Sequence, residues 1–264
     1  MTDLASYLDL AQELADLADA RTMAAFRGHL EVRTKGDGSW VTEVDETVER
    51  ELRGAILSRF PDHAVLGEED GLDGPGDAPR WVLDPIDGTT NFVKGNPIFA
   101  TLIGLQLDGR DVLGVVSAPA LGTRFDGILG GPAHQDAQPI RVSGTSRLAD
   151  AEVALGDLGY FADRGLLDGA TTLARSAARQ RGYGDFWQHC LVAAGSTDVA
   201  AEAMVSLWDL VAVKAVVEAA GGTFTDLDGT ATADGGSAVS TNGRLHAEVL
   251  EVLHGHPARS QPVR

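Results

Sequence analysis

Cysteine and long apolar runs are both scarce in this chain, and each shortage excludes a class of protein. The single cysteine, Cys190, rules out an internal disulfide and is typical of a reducing compartment. No apolar run approaches the roughly 18 residues that a membrane-spanning helix needs, and the first residues lack the basic, then apolar pattern of a secretory signal. We therefore expect a cytoplasmic protein with no membrane partner.

Positive charge is also in short supply. The chain has 21 Lys and Arg against 39 Asp and Glu, which gives a formal net charge of -18. Nucleic-acid binding depends on basic residues that neutralise phosphates, so we expect no nucleic-acid partner. What remains is ordinary for a globular protein, with 44% hydrophobic and 23% charged residues. At 264 residues the chain is long enough to bury a large core.

Hydrophobic periodicity divides the chain into two halves, 1–138 and 139–264. In the first half, helical spacing at 3–27 and 43–59 predicts two helices before any sheet. Strand candidates then follow at 64–66, 81–83, 100–107, 112–118, 124–129 and 140–142. Segments rich in Gly, Pro, Asp and Ala predict surface loops at 71–79 and 130–138, and the second of these marks the seam between the halves.

The second half alternates between strands and helices, a pattern typical of α/β structure. Its predicted strands are 153–156, 182–183, 198–201, 223–225 and 238–240. Its predicted helices are 166–179, 186–194, 207–220 and 245–253. The final residues, 256–264, have the composition of a frayed end.

The segment WVLDPIDGTTNF, at 81–92, is the most informative part of the sequence. The apolar residues before Asp84 predict a short buried strand, which puts Asp84 at a carboxyl end, where ligands collect in α/β sheets. Pro85 turns the chain and can bring Asp87 back beside Asp84. Mg²⁺ prefers carboxylate and phosphate oxygens, so the segment is a candidate metal site. The alternative is a plain turn, which Asp, Pro and Gly commonly form.

Residues on either side of this segment extend the candidate site. Gly88 allows a close approach of the backbone to a ligand, and Thr89 and Thr90 suit the cap of a helix whose free amides would face an anion. Upstream, another strand candidate leads into the adjacent acids Glu68 and Glu69. Acids gathered at neighbouring strand ends repel one another unless a cation is present, so this arrangement implies a metal.

Three ordered motifs resemble the inositol monophosphatase-like phosphatases, which depend on magnesium and are sensitive to lithium. They are GEE at 67–69, DPIDGTTNF at 84–92 and WD at 208–209, and the resemblance covers nearly the whole chain. It implies an α+β fold of layers, α-β-α-β-α, with the active site between the halves. It also implies two or three Mg²⁺ ions per site, with Mn²⁺ as an alternative, a small-molecule phosphate ester as substrate, and a homodimer.

The resemblance also assigns roles to individual residues. A metal-activated water would attack the phosphorus, with Glu68 holding the activating cation and Asp45 pairing with the Thr89 hydroxyl to deprotonate the water. The amides of Gly88 and Thr89 would hold the phosphate. The implied metal ligands are Glu68, Asp84, the backbone carbonyl of Ile86, Asp87 and Asp209.

Structural roles compete with several of these assignments. Spacing alone favours Asp45 as an exposed acid in the first turn of a helix. Asp209 stands at a helix start, where a capping acid is common. Glu69 either supports Glu68 from outside or contacts a metal directly. His63 is expected to be structural because Mg²⁺ prefers oxygen, and Cys190 to be a buried helical thiol.

Further segments resemble the histidinol-phosphatases of this fold, actinobacterial ones in particular. These segments are NFVKGNPIFATLIGL, GVVSAPALG, GYGDFWQHCLVA and DVAAEAMVSLWDL. The implied reaction, in histidine biosynthesis, converts histidinol phosphate and water to histidinol and phosphate. An acidic pocket suits its ammonium and imidazole, and the implied substrate contacts are Gly88, Thr89, Asp185, Glu202 and Asp209. Asp185 is equally well placed to cap the helix that follows it.

Two rival functions stay open. The first is an inositol-1-phosphate or fructose-1,6-bisphosphate phosphatase that uses the same metals. Thr90, where some histidinol-phosphatases carry lysine, and an apparently shortened hairpin at 130–138 leave the subfamily undecided. The second is a non-catalytic, metal-binding scaffold, and the intact set of predicted ligands counts against it.

Overall fold

A computed structural model describes residues 4–36 and 38–255, which form two large sheets, a small hairpin and eight α-helices. The helices α1 to α8 are Leu4–Ala25, Glu43–Arg59, Thr89–Val93, Leu158–Asp163, Leu167–Ser176, Asp185–Ala193, Leu207–Ala219 and His246–Leu253. The strands β1 to β15 are Val32–Thr34, Trp40–Thr42, Ala64–Gly67, Gly71–Asp73, Arg80–Asp87, Ala100–Leu107, Arg110–Ala118, Thr123–Ile128, Ala133–Gln135, Gln138–Ile140, Glu152–Leu155, Arg179–Arg181, Val199–Glu202, Thr223–Thr225 and Ala238–Thr241.

The elements stack in five layers. α1 and α2 pack on one face of an eight-stranded sheet with the order β10-β9-β8-β7-β6-β5-β3-β4. α6 and α7 lie between this sheet and a five-stranded sheet with the order β12-β11-β13-β15-β14. α5 and α8 cover the far face of the second sheet. The predicted α-β-α-β-α sandwich of the α+β class is confirmed.

Apolar side chains fill each interface between the layers. Leu52 of α2 packs with Trp81 of β5 in the outer cluster, and both are fully buried. Val211 of α7 belongs to the central cluster, and Leu173 of α5 to the cluster beyond the second sheet. The division of the chain after residue 138 stays a prediction. Among the described helices, none combines the length and apolar character that crossing a membrane requires.

A row of three glycines lets α7 approach the first sheet closely. Gly104, Gly114 and Gly127 pair with one another across β6, β7 and β8. A side chain at Gly114 would overlap the carbonyl group of Ala212 in α7. The bare backbone of this row therefore sets the distance between α7 and the sheet. This contact matters for the site, because α7 carries Asp209 in its first turn.

Most predicted elements are present within a few residues, but four local predictions between residues 28 and 142 are wrong. The hairpin of β1 and β2 precedes α2, and its three-residue strands are too short to show alternation. The predicted loop at 71–79 begins with β4, and the one at 130–138 contains β9 and enters β10. β10 ends at Ile140, short of the predicted end at 142. The β9–β10 turn has positive φ at Asp136 and Ala137, for which alanine gives no sequence signal.

The second half departs from prediction at two places. The strand expected at 182–183 is β12, which begins three residues earlier. The helix predicted at 166–179 is α5, which is shorter because it ends before β12 begins. α4 was not predicted, because its six residues are too few to show helical periodicity. The predicted start of the first helix at residue 3 and the tail at 256–264 lie outside the described residues.

Candidate active site

Three carboxylates from distant parts of the chain converge where α7 meets the first sheet. Asp84 and Asp87 come from β5, and Asp209 comes from the first turn of α7. One oxygen of each carboxylate lies within 4.8 Å of the other two. Asp84 is 1% exposed and Asp87 is 9% exposed. Buried oxygens in this arrangement are a donor set suited to a hard divalent cation.

The strand β5 runs on past Asp84, which corrects the prediction that it ends there. It continues to Asp87, and its pairing with β6 shifts register between the two acids. Proline cannot donate to a regular ladder, so Pro85 is compatible with this irregularity. Asp84 Oδ1 accepts the backbone N–H of Ile86 at 2.9 Å, and the Thr101 hydroxyl donates to the Pro85 carbonyl at 2.8 Å. These bonds hold the bulge that brings the two carboxylates together.

Two of the three carboxylates also cap helices. Asp209 Oδ2 accepts the backbone N–H of Ser206 at 2.7 Å in a capping box, so the capping position and the cluster position coincide. Asp87 Oδ2 accepts the backbone N–H of Phe186 at 2.7 Å, at the start of α6. Each cap uses one oxygen of its carboxylate. The caps therefore fix the direction in which these acids face the cluster.

Glu68 and Glu69 follow β3 and share one ammonium group. Lys35 Nζ lies 2.7 Å from Glu68 Oε1 and 2.8 Å from Glu69 Oε1. The buried Glu49 accepts the backbone N–H of Glu69 at 2.8 Å and so fixes this turn. Glu68 lies outside the three-carboxylate group, although its charge contributes to raising the pKa of Asp84. The structure thus places Glu68 beside the cluster rather than in it.

Thr89 stands between Asp45 and the end of β5. Its Oγ1 lies 3.3 Å from Asp45 Oδ1 and 3.0 Å from the carbonyl oxygen of Ile86. Asp45 is fully buried and accepts the N–H of Thr42 at 2.9 Å, so the alternative of an exposed acid is wrong. The predicted threonine cap is also wrong. The N-cap of α3 is Gly88, whose φ of 82° is a conformation that glycine adopts most readily.

Burial raises the pKa values of the clustered acids. At Asp84 burial has the largest effect, followed by the charges of Glu68 and Asp87, and together they raise the pKa well above its ordinary value. Burial also raises the pKa of Asp209 to about 7 and that of Asp45 to about 6. Since a nearby cation would favour the ionised carboxylates, the electrostatics of the site are those of a cation-binding site.

A cavity of about 100 Å³ opens beside the cluster and contains a second pair of acids, Asp185 and Glu202. Burial is the largest cause that raises the pKa of both carboxyls. Gln188 donates its amide N–H to Glu202 Oε1 and so orients that carboxyl group. The cavity is lined by Asp87, Asp185, Phe186, His189, Glu202, Met204, Val205, Asp209 and Leu210.

Asp185 does not cap α6, so that alternative is wrong. The N-cap is Gly184, and the N–H of Phe186 is taken by Asp87 from β5. Asp185 itself has a φ of 48°, a left-handed conformation that costs a non-glycine residue about 1–2 kcal/mol. The Asn91 side chain donates to Asp185 Oδ2 at 3.0 Å. Strain of this kind is concentrated at functional sites, where the surroundings hold the residue in place.

Sequence reasoning missed three side chains of this region. His189 lines the cavity, and its spacing of four residues from Asp185 on one helix was an available signal. Gln188 gave no signal, because only the fold brings it to Glu202. Lys35 was missed because its hairpin was not predicted. The expected structural histidine and buried thiol are as predicted: His63 accepts the indole N–H of Trp81 at 3.1 Å, and Cys190 is 1% exposed.

Known proteins resemble the chain over nearly its full length. A family model, the inositol monophosphatase family, matches residues 3–258. The chain belongs to the inositol monophosphatase family. It is 45% identical to the histidinol-phosphatase of Streptomyces coelicolor, across 96% of this chain and 99% of that protein. It is also 45% identical to the histidinol-phosphatase of Mycobacterium tuberculosis, across 94% of this chain and 97% of that protein.

Solved structures of inositol monophosphatases share the fold. The IMPase of Thermotoga maritima superposes with a TM-score of 0.85 at 30% identity, and the match covers 94% of this chain and 97% of that one. The predictions of the family, the layered fold and a phosphatase are therefore confirmed.

Proposed function

We propose that this member of the inositol monophosphatase family is a Mg²⁺-dependent histidinol-phosphatase, which converts histidinol phosphate and water to histidinol and phosphate. The observation that carries the proposal is the second acid pair, Asp185 and Glu202, in the cavity that also contains Asp87 and Asp209. A site with metal-binding carboxylates on one side and substrate-facing carboxylates on the other suits a phosphate ester of a cationic alcohol. The 45% identity to two histidinol-phosphatases supports the same choice.

The donor chemistry of the cluster fits Mg²⁺. Within the described residues, the basic group at the site is Lys35, which pairs with Glu68 and Glu69 and not with the three clustered aspartates. A hard cation at the cluster would offset their repulsion. Bound there, two or three Mg²⁺ ions, or Mn²⁺, would activate a water and neutralise the phosphoryl oxygens. The residues that would hold them are Glu68, Asp84, the carbonyl of Ile86, Asp87 and Asp209.

Proton transfer falls to Asp45 and Thr89. Asp45 Oδ1, 3.3 Å from Thr89 Oγ1, accepts the proton of that hydroxyl, which leaves Thr89 Oγ1 as the acceptor for a proton of the attacking water. A pKa of about 6 leaves Asp45 mainly ionised at neutral pH, as this role requires. The left-handed Gly88 exposes the start of α3, whose first amides, those of Gly88 and Thr89, hold the phosphate.

Recognition of the alcohol falls to Asp185 and Glu202. Carboxylates accept charge-assisted hydrogen bonds from the ammonium and imidazole N–H groups of histidinol phosphate. Burial raises the pKa of both groups, and a cationic ligand between them would favour their ionised forms. Inositol phosphate offers only neutral hydroxyls, which gain less from such a pocket. A homodimer and inhibition by lithium, which rest on the family resemblance, complete the proposal together with a cytoplasmic location, which rests on the single cysteine and the lack of a signal pattern.

Phosphate release with Mg²⁺ tests the substrate. We expect kcat/KM to be highest for histidinol phosphate and lower for inositol 1-phosphate and fructose 1,6-bisphosphate. An equal or greater value for either polyol ester would rule out the histidinol-phosphate assignment and support that rival.

Replacement of one cavity acid tests the site. Asp185→Asn should raise KM for histidinol phosphate roughly tenfold or more, because a charge-assisted hydrogen bond is worth about 1.5–3 kcal/mol. It should change KM for inositol 1-phosphate much less. The matched control is Asp168→Asn, an exposed acid in the first turn of α5, which should change neither value. An unaltered KM for histidinol phosphate in Asp185→Asn would remove Asp185 from the substrate site.

A further inference from the structure

His189 lies one helical turn after Asp185 on α6 and lines the same cavity. Its side chain is buried, with the residue only 1% exposed. Nδ1 lies 2.7 Å from the hydroxyl oxygen of Ser240, in β15 of the second sheet. Nε2 is buried and has no hydrogen-bond partner among residues 4–36 and 38–255. The ring thus has one nitrogen bonded within the fold and one buried nitrogen without a partner among the described residues.

An unpartnered buried nitrogen is unusual, since buried polar atoms in folded proteins are nearly always hydrogen-bonded. His246 shows how the same half of the protein accommodates a structural histidine. Its Nδ1 lies 3.1 Å from the Thr241 hydroxyl and its Nε2 lies 3.0 Å from the Thr225 hydroxyl, so both nitrogens have partners. His189 has the burial of a structural histidine but only half of its hydrogen bonds. The missing partner is therefore expected from the cavity that His189 lines.

The chemistry of the ring complements that of the two acids. Burial lowers the pKa of His189 to about 4, so the imidazole is neutral at neutral pH and does not repel a cation. Asp185 and His189 are at i and i+4 and so lie on one face of α6, while Glu202 reaches the cavity from β13, oriented by Gln188. The cavity thus offers two carboxyl groups for charged N–H donors and one neutral ring nitrogen. A neutral nitrogen suits an uncharged heterocycle better than an ammonium.

We propose that His189 Nε2 is a specificity-determining group that forms a hydrogen bond with one nitrogen of the imidazole ring of the substrate alcohol, while the acids bind its ammonium group and the other ring nitrogen. Ser240, through Nδ1, fixes the orientation of the His189 ring. The inference rests on the proposed function and deepens it, since it names the side chain that recognises the imidazole ring of the substrate. Two features distinguish it from a packing role: the cavity position and the unpartnered nitrogen.

The test compares three phosphate esters. Histidinol phosphate has both an ammonium group and an imidazole, O-phosphoethanolamine has the ammonium group alone, and inositol 1-phosphate has neither. His189→Met removes the ring nitrogens but keeps an apolar side chain of similar volume. We expect KM for histidinol phosphate to rise about tenfold, the equivalent of about 1.4 kcal/mol, with kcat changed much less. The kinetic constants for the other two esters should stay near those of the wild type.

Two further variants support the comparison. His246→Met, at the histidine with both nitrogens satisfied, should lower the melting temperature without changing the ratio of KM values between esters. His189→Gln keeps a hydrogen-bonding group and should recover part of the affinity for histidinol phosphate. If His189→Met does not fold, His189→Gln and Ser240→Ala provide the same comparison, each with a smaller expected rise in KM.

The possible failures are distinguishable. A wild-type enzyme without preference for histidinol phosphate overturns the proposed function, and this inference with it. A preference that survives unchanged in the His189 and Ser240 variants overturns the inference alone. A parallel rise of KM for all three esters also overturns it, because that result marks His189 as a packing residue. A rise shared by histidinol phosphate and O-phosphoethanolamine assigns His189 to the ammonium group and refutes the proposed contact with the ring.

Discussion

Replacing Asp84 with asparagine should change stability and activity in opposite directions. Asp84 is 1% exposed, and its carboxylate oxygen lies within 4.8 Å of oxygens of Asp87 and Asp209. Two full charges at that distance repel by about 3.5 kcal/mol at an effective dielectric constant of about 20. The raised pKa values of Asp84 and Asp209 favour the protonated carboxyls when no cation is bound, which reduces the repulsion. We expect Asp84→Asn to stabilise the protein in EDTA by about 1–3 kcal/mol.

The asparagine keeps the local structure, because its side-chain oxygen can still accept the backbone N–H of Ile86. A gain of this size corresponds to a rise in melting temperature of roughly 2–4 °C per kcal/mol for a chain of this length. Turnover with Mg²⁺ should fall at least about 100-fold, since the loss of outer-shell partners alone costs about 10- to 100-fold. The stabilisation that Mg²⁺ gives the wild type should shrink in the variant.

Thermal melts in EDTA and in Mg²⁺, together with phosphate release, measure these effects. The matched control is Asp111→Asn, which removes a buried acid that pairs with Lys214 at 3.1 Å. Losing one partner of a buried ion pair is strongly destabilising, so this variant should melt lower in both buffers. If Asp84→Asn also melts lower in EDTA, or keeps the full response to Mg²⁺, the assignment of Asp84 as a metal-binding charge is wrong.

Three further predictions concern the glycine row, the nucleophile and pH. Gly114→Ala should cost about 1–3 kcal/mol of stability and reduce the gain in melting temperature that Mg²⁺ gives, because the new methyl displaces α7 and Asp209. An unchanged gain would show that the glycine row does not position Asp209 for the metal. Thr89→Val should lower kcat with little change in KM, whereas Thr89→Ser should retain most of kcat. Equal losses of kcat in both variants would exclude a role for the Thr89 hydroxyl in proton transfer. Folding raises the pKa to about 6 at Asp45 and to about 7 at Glu69 and Asp209. Protonation of these acids therefore adds to the free energy of unfolding below pH 4, and this contribution is lost as the pH rises to about 7. The gain in melting temperature from Mg²⁺ over EDTA should therefore grow between pH 5 and pH 8, and a constant gain would contradict this linkage.

Prediction from sequence succeeded where the signal is local and repeated. α2 begins and ends at the predicted residues because its buried positions recur at helical spacing. β6 does as well, because its mostly apolar run is buried along nearly its whole length. The hairpin of β1 and β2 and the turn at Asp136 and Ala137 escaped prediction, because three-residue strands and a left-handed alanine give no periodic or compositional signal. The acids of the DPIDG segment were found because they stand three residues apart directly after a short apolar run.

The details of the site depended on contacts between distant residues. The sequence left open whether Asp185 caps α6, but the N–H of Phe186 bonds to Asp87, 99 residues before it. Lys35 approaches Glu68 from 33 residues away, and no pattern in the chain relates the two. His189 is intermediate, since its spacing from Asp185 is visible in the sequence but its unpartnered nitrogen is not.

The sequence by itself determined the family and the chemical type of the site, because both follow from residue identity at short spacing. The layered fold was predicted only through the resemblance to that family, since periodicity does not show how layers stack. The sequence also confined the cluster to oxygen donors and so to a hard cation. The tertiary structure alone decided which acids share a cavity, which oxygens accept helix-cap hydrogen bonds, and which buried histidine nitrogen has no partner among the described residues. The physical reason is that hydrogen bonding and desolvation depend on contacts between residues tens of positions apart, which only the packing of α6 and α7 between the two sheets brings about.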